Sequence, residues 1–402
     1  MNPKSTRLNK ILKRTVLMSL TALLSAGAMA DAAADELTVG VELPLSGTLA
    51  RVGAGMQEGI MVAAEVFNQR NGKHKIKLIT IDDESAPAKA IAAVEKLAAQ
   101  GAVAITGGYG SNNIAPASST ADKLGLVYIA SGGVDASLVN SGHRNFFRIN
   151  NTAGYEKAML GLLQEVNARS VSIIHSTKEA TSSLARNVHQ ALAASGVKVV
   201  SHAFDPAITD FKPIVNKVKL QDKSDVIAMV GYENDYVAIL RAARVLKPKV
   251  KAMVGVWSLA TPKMAEDFPD LMANVFGTAL LPFPARFTSP DGKAFSDTTR
   301  RLYKKEPDYL GQFGYVQSML LFEAIGRAVD NGTLKKGGIA DELRKTDRET
   351  LIGRVQFGGN GDNLNFVHSM AQHQYQGQRR NIVIVWPAAK ASGKAIYPGL
   401  PW

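Results

Sequence analysis

Short apolar, β-branched runs alternate with longer stretches of helical periodicity along most of this chain. Leu37–Leu43 (LTVGVEL) predicts a strand, followed by a Gly-containing loop and a helix from about Gly55 to Asn68. Lys75–Asp82 (KIKLITID) predicts the next strand, and Pro87–Ala99 an Ala-rich helix with its proline in the first turn. Ala102–Thr106, a helix near Ala115–Leu124 and a strand at Leu126–Ala130 continue the alternation. Strands that are apolar almost throughout belong to parallel sheets covered on both faces, so this part predicts a doubly wound α/β unit.

After Phe146–Asn151 the rhythm restarts. Helices are predicted at Gly154–Val166, Leu184–Ala194, Phe211–Lys219 and Tyr236–Leu246, with strands at Val171–His175, Val197–Phe204, Asp225–Val230 and Lys251–Val256. This is a second set of βα units, without a residue-level repeat joining it to the first. From Pro282 the pattern changes to long helices, Gly292–Lys305 and Phe313–Asp330, then a shorter one near Lys336–Lys345. Strand-like segments follow at Arg354–Phe357, Ser369–Gln376 and Asn381–Trp386, the first two separated by the turn cluster Gly358–Asn363.

A length of 402 residues accommodates two such units. The absence of cysteine excludes disulfides, thiol nucleophiles, Cys-ligated metals and lipidation through an N-terminal cysteine. Residues 1–30 combine Lys4, Arg7, Lys10, Lys13 and Arg14 with the apolar run Val16–Ala28 and an Ala28-Met29-Ala30 step, the pattern of a cleaved secretory signal peptide. That run is too short to span a bilayer, so a soluble exported protein is expected. The five cations of this segment account for five of the formal +12, leaving +7 on residues 31–402. The remaining charges are interleaved in sign, without the basic run and aromatics that follow a nucleic-acid backbone, so no nucleic-acid partner is expected.

The loops lack the motifs of catalysis on such a sheet. There is no G-x-x-x-x-G-K-[ST], no G-x-G-x-x-G opening a helix, no G-x-S-x-G and no H-E-x-x-H. Asp82, Asp83 and Glu84 end a strand before a helix, where acids serve as caps and loop residues. Neither an enzyme nor a metal or cofactor site is expected.

In an open α/β sheet, ligands sit beyond the carboxyl ends of the strands. Three such loops stand out: Pro44–Gly47, Gly107-Gly108-Tyr109-Gly110-Ser111-Asn112-Asn113, and Ala130-Ser131-Gly132-Gly133-Val134. Glycines let a ligand approach the backbone, and free N–H groups at a helix start favour an anion such as a carboxylate.

With VGVELPLSG, IDDES, GGYGSNN before APASSTADKLGL, VYIASGG, RINNTAGYEKAM, SIIHS and GYVQSMLLFEAIGRAVDNG in this order, the chain resembles the type I periplasmic binding proteins. The resemblance extends over residues 37–402 and points to the leucine/isoleucine/valine-binding subfamily that serves ABC importers. It implies two doubly wound parallel-sheet lobes joined by three crossings, closing around a small solute and meeting an inner-membrane permease. The expected lobes are 36–149 with 282–360 and 151–280 with 362–402, the hinge lying near Asn150, Leu281 and Gly361. A periplasmic, monomeric protein is expected, with a soluble sensor for a signalling receptor as the alternative.

Residue by residue, the resemblance assigns Ser111 to the ligand carboxylate, Gly132 and Gly133 to backbone contacts in the next loop, and Tyr232 to the second lobe. Departures from the pattern place Val134 where amino-acid binders carry Thr, and Gly255-Val256-Trp257 where they carry the acid that holds the α-ammonium. A buried ammonium without an anion is costly. With Tyr109, Tyr232 and Trp257 as aromatic walls beside Ser131, the expected ligand is therefore an aromatic or aliphatic acid lacking an α-amine. The alternative is a branched-chain or other amino acid, or an amide, with Glu233 or Asp235 as the missing anion.

Overall fold

The computed structural model describes residues 35–377, 379–400 and 402; the expected signal segment, residues 1–30, lies outside them. Five parallel strands build the first sheet: β1 (Asp35–Leu43), β2 (His74–Asp82), β3 (Ala104–Tyr109), β4 (Val127–Gly132) and β5 (Phe146–Arg148), in the order β2-β1-β3-β4-β5. Helices α1 (Ala50–Arg70), α2 (Pro87–Ala99) and α3 (Ser111–Lys123) connect them. Chain order reverses between β2-β1 and β3, the kind of switch point at which such sheets bind ligands.

The second sheet has seven strands. Strands β6 (Ser170–Ser176), β7 (Lys198–Phe204), β8 (Val226–Val230), β9 (Ala252–Gly255) and β10 (Phe276–Ala279) are mutually parallel. Strands β13 (Ser369–Gln376) and β14 (Arg379–Trp386) add antiparallel at one edge, giving β14-β13-β10-β9-β8-β6-β7. Its helices are α4 (Thr152–Glu165), α5 (Glu179–Ala194), α6 (Lys212–Lys217), α7 (Glu233–Leu246) and α8 (Pro262–Asp267).

Between β10 and β13 the chain returns to the first sheet as α9 (Pro290–Tyr303), α10 (Tyr309–Asp330), α11 (Gly338–Arg344) and the hairpin β11 (Asp347–Thr350) and β12 (Gly353–Gln356). Helix α10 lies against α1 at backbone distance. A Cβ added at Gly59 would fall 2.0 Å from the Gly311 oxygen, and one at Gly314 would fall 2.2 Å from the Met56 oxygen. Only glycine fits at these two positions, and the apolar core around Met56, Ile60, Phe67 and Phe322 closes over the contact. The result is two α/β lobes with three crossings, after β5, after β10 and after β12. At the first and third, the Arg148 guanidinium, 3% exposed, donates from Nε and Nη2 to the Asp362 carboxylate at 2.8 and 2.9 Å.

The structure differs from the sequence reading in places with a physical cause. Helix α1 begins at Ala50, not near Gly55, because Gly53 lies inside the helix where it presses on the loop; a Cβ there would meet the Pro44 oxygen at 1.9 Å. Strand β3 continues through Gly107-Gly108, and Ser111-Asn112-Asn113 form the first turn of α3, so the expected seven-residue loop shrinks to Gly110. The helix expected at Phe211–Lys219 ends at Lys217 and passes into a π-turn, Val218–Asp222. Strand β10, four residues including Gly277, is too short to show periodicity and was not anticipated. Asp82 serves its loop, its Oδ1 accepting the N–H groups of Leu45, Ser46 and Glu84 at 2.8, 3.2 and 2.8 Å.

Candidate ligand cleft

The carboxyl ends of β3 and β4 face the second lobe across a cleft. Gly107 and Gly108, late in β3, and Gly110, between β3 and α3, all have positive φ angles. At Gly132 a Cβ would lie 2.4 Å from the Gly108 oxygen, so the two strand ends touch through their backbones. Ser111 opens α3 and ties it to the next loop, its Oγ accepting the N–H groups of Val134 and Asp135, both at 3.2 Å. The Ser111 hydroxyl proton stays available for a ligand acceptor.

Of the expected site residues, Tyr109, Ser131, Gly132, Val134 and Trp257 line one small cavity between the lobes. Ser111, Gly133 and Tyr232 stand one layer out. Gly133 faces the core, where a Cβ would meet Ile114 and Leu138 at 2.7 Å, and Tyr232 stacks on Trp257 with centroids 5.6 Å apart and 15° between planes. Trp257 has a φ of 53°, a left-handed conformation uncommon for a bulky side chain. Lys178 Nζ lies 4.7 Å from the Tyr232 ring centroid.

The sequence reading missed Met56, Asn150, Tyr155, Tyr309, Leu310 and Phe313 as cavity walls. Asn150 Nδ2 donates to the Ser131 oxygen at 2.9 Å and to the Tyr155 hydroxyl at 2.8 Å, and Tyr155 and Tyr309 pair their hydroxyls across the lobes at 3.0 Å. Two polar atoms of this wall, Ser131 Oγ and Asn150 Oδ1, are buried without a hydrogen-bond partner. The cavity measures about 10 Å³, the space of about one water molecule. The lobes are therefore closed on each other, and admitting an amino acid requires them to part or these side chains to turn.

Glu233 adds the charge. It is the first residue of α7 and 8% exposed; its Oε2 lies 2.9 Å from Arg51 Nε, and its Oε1 has no partner. Burial raises its pKa to about 7, outweighing the opposing effect of the Arg51 charge. Asp235, the other candidate anion, has its carboxylate occupied in the helix cap, accepting the Tyr232 N–H at 2.8 Å. Where the pattern departs at Val134, Thr152 from the adjoining helix donates both its N–H, at 3.2 Å, and its hydroxyl to the Val134 carbonyl.

The comparisons with known proteins agree with this fold. The leucine-specific-binding protein of Salmonella typhimurium is 24% identical over 379 residues, covering 90% of this chain and 97% of that protein. The branched-chain amino acid transporter substrate binding protein LivJ from Streptococcus pneumoniae, in complex with isoleucine, superposes with a TM-score of 0.73 at 22% identity, over 87% of this chain and 100% of that one. A solute binding protein of an ABC transporter from R. palustris, in complex with benzoate, gives 0.75 at 17% identity, over 91% and 96%. The family model for periplasmic binding proteins matches residues 36–379, so the chain belongs to the periplasmic binding protein family.

Proposed function

We propose that the protein is the periplasmic substrate-binding component of an ABC importer and that its solute is an apolar amino acid. The observation that carries the amino-acid reading is Glu233 Oε1, a buried carboxylate oxygen without a hydrogen-bond partner at the junction of the two lobes, next to the residues that line the small cavity but not among them. An α-ammonium supplies the donor and countercharge this oxygen lacks, which answers the missing acid at Trp257. The ligand carboxylate is taken by the hydroxyls of Ser131 and Ser111, and its side chain packs on Trp257, itself backed by Tyr232. Lobes 36–149 with 282–360 and 151–280 with 362–402 close over it, and the closed monomer is what the permease receives. The relatives named for leucine and isoleucine support this reading over the acid without an α-amine. That second reading keeps one observation in its favour, the apolar pairing of Val134 with Trp257 on the cavity wall, and the benzoate complex of the R. palustris protein is in keeping with it.

A thermal-shift screen of residues 31–402 separates them, because a ligand that binds only the native state raises the melting temperature by mass action. L-leucine, L-isoleucine and L-valine are expected to raise it by several degrees at saturation, and benzoate or isovalerate to leave it unchanged; the reverse pattern establishes the amine-free acid. Ser111→Ala and Trp257→Ala are each expected to weaken binding about tenfold or more, since each removes a polar or large apolar contact. Wild-type affinity in both overturns the site.

A further inference from the structure

Arg51 lies in the first turn of α1, on the lobe of the first sheet, yet among the described residues its guanidinium pairs with groups of the other lobe. Its Nε is 2.9 Å from Glu233 Oε2 at the start of α7, its Nη1 pairs with Asp267 at the end of α8, and its Cζ lies 5.4 Å from the centroid of the Phe268 ring. The other charged groups around this junction are Lys263, paired with Asp267 at 2.7 Å, Arg241, over the same Phe268 ring at 5.8 Å, and Asp308 at the start of α10. The three partners are partly shielded, with side-chain exposures of 32% for Arg51, 10% for Glu233 and 24% for Asp267.

We propose that Arg51 is an inter-lobe strap: it holds the lobes shut from outside the ligand cavity and thereby sets how firmly the site retains its solute. One guanidinium set between two partly shielded carboxylates is an ion-pair cluster, worth more than a lone exposed pair. Because all its partners lie on the far lobe, the contact exists only when the cleft is closed, so it contributes to the closed state and nothing to the open one. Strap and solute are not rivals on the amino-acid reading, on which this point alone rests: Arg51 takes Oε2 of Glu233 and leaves Oε1 to the ammonium. If the solute departs, Asp267 still holds Arg51.

The test is small-angle X-ray scattering of wild type, Arg51→Ala, Arg51→Lys and Asp267→Asn without solute, at 20 and 500 mM NaCl, with isothermal titration of L-leucine and benzoate alongside. Wild type is expected to be compact at low salt and to expand at high salt as the ion pairs are screened. Arg51→Ala is expected to be expanded and insensitive to salt, Asp267→Asn intermediate, and Arg51→Lys to restore part of the compaction. Apparent affinity falls with the closed fraction, so whichever probe binds is expected to lose about three- to tenfold in Arg51→Ala, by the same factor as that fraction. Asp267→Asn leaves Glu233 intact and guards against damage to the cleft. Scattering curves unchanged in both Arg51→Ala and Asp267→Asn overturn the strap, as does an affinity loss without expansion. If neither leucine nor any other amino acid binds wild type, the amino-acid reading falls while scattering still decides the strap.

Discussion

Glu233→Gln is expected to weaken amino-acid binding by about a hundredfold or more. Removing one member of a buried, hydrogen-bonded charge pair costs about 3–5 kcal/mol, because the partner is left uncompensated. A carboxamide keeps the size of the side chain but offers the ammonium no charge. The same residue predicts the pH dependence. Burial raises the Glu233 carboxyl to about 7, so below that pH the closed cleft holds a proton that an ammonium must expel. Affinity for leucine is therefore expected to fall below pH 7 by up to tenfold per unit, with proton release on binding, and to stay flat above it. Titration calorimetry at pH 5.5, 6.5 and 8 in two buffers of different ionisation enthalpy measures both. A flat profile, or a Glu233→Gln protein that binds leucine normally, removes Glu233 from the site.

Glu42→Gln is expected to stabilise the protein at pH 8 by about 1–3 kcal/mol, the usual cost of leaving a buried polar group ill-matched. Glu42 is fully buried on β1; its Oε2 accepts the Tyr128 hydroxyl and its Oε1 has no hydrogen-bond partner. Burial pushes its carboxyl well above the usual range, and the neighbouring Asp83, also buried, pushes it further, against the opposing Tyr128 bond. A carboxyl raised on folding contributes stability that is fully present below its unfolded value and is lost as pH rises through the folded one. The stability gap between Glu42→Gln and wild type is thus expected to widen from pH 5 to pH 8 in guanidinium titrations. An equal gap at both pH values means Glu42 is ionised in the native protein.

Much of the cleft was legible because it lies where local pattern speaks. Tyr109 ends a strand, Ser131 to Val134 follow another and Trp257 follows a third, and in a parallel sheet strand ends converge whatever the intervening helices do. Ser111 was legible by resemblance, though not its place in the first turn of α3, since Ser-Asn-Asn has the composition of a loop. Tyr155 and Tyr309 were not legible as partners, because their 3.0 Å contact joins helices belonging to different lobes, and no local period encodes such a pairing. Glu233 was visible as an acid at a helix start, where the helix dipole alone explains an acid. Its significance comes from Arg51, which lies far from it in sequence and beside it in space. On the amino-acid reading, the departures at Val134 and Trp257 pointed the other way because Glu233, an acid from another element, stands in for the anion missing at Trp257, and no local pattern shows such a substitution.

The late return of the chain to both lobes bears on how the molecule is made. The first sheet is laid down by residue 148, but the face of α1 bearing Gly59 is covered only when α10 arrives, and β10 gains its antiparallel neighbour only with β13. Neither lobe can reach its native core while a large part of the chain is still emerging, and the contact that completes the first, Gly59 against Gly311, joins residues far apart in sequence. Folding should therefore be slow and post-translational, with the two lobes maturing together, which leaves an interval in which a chaperone or translocation machinery can hold the chain unfolded.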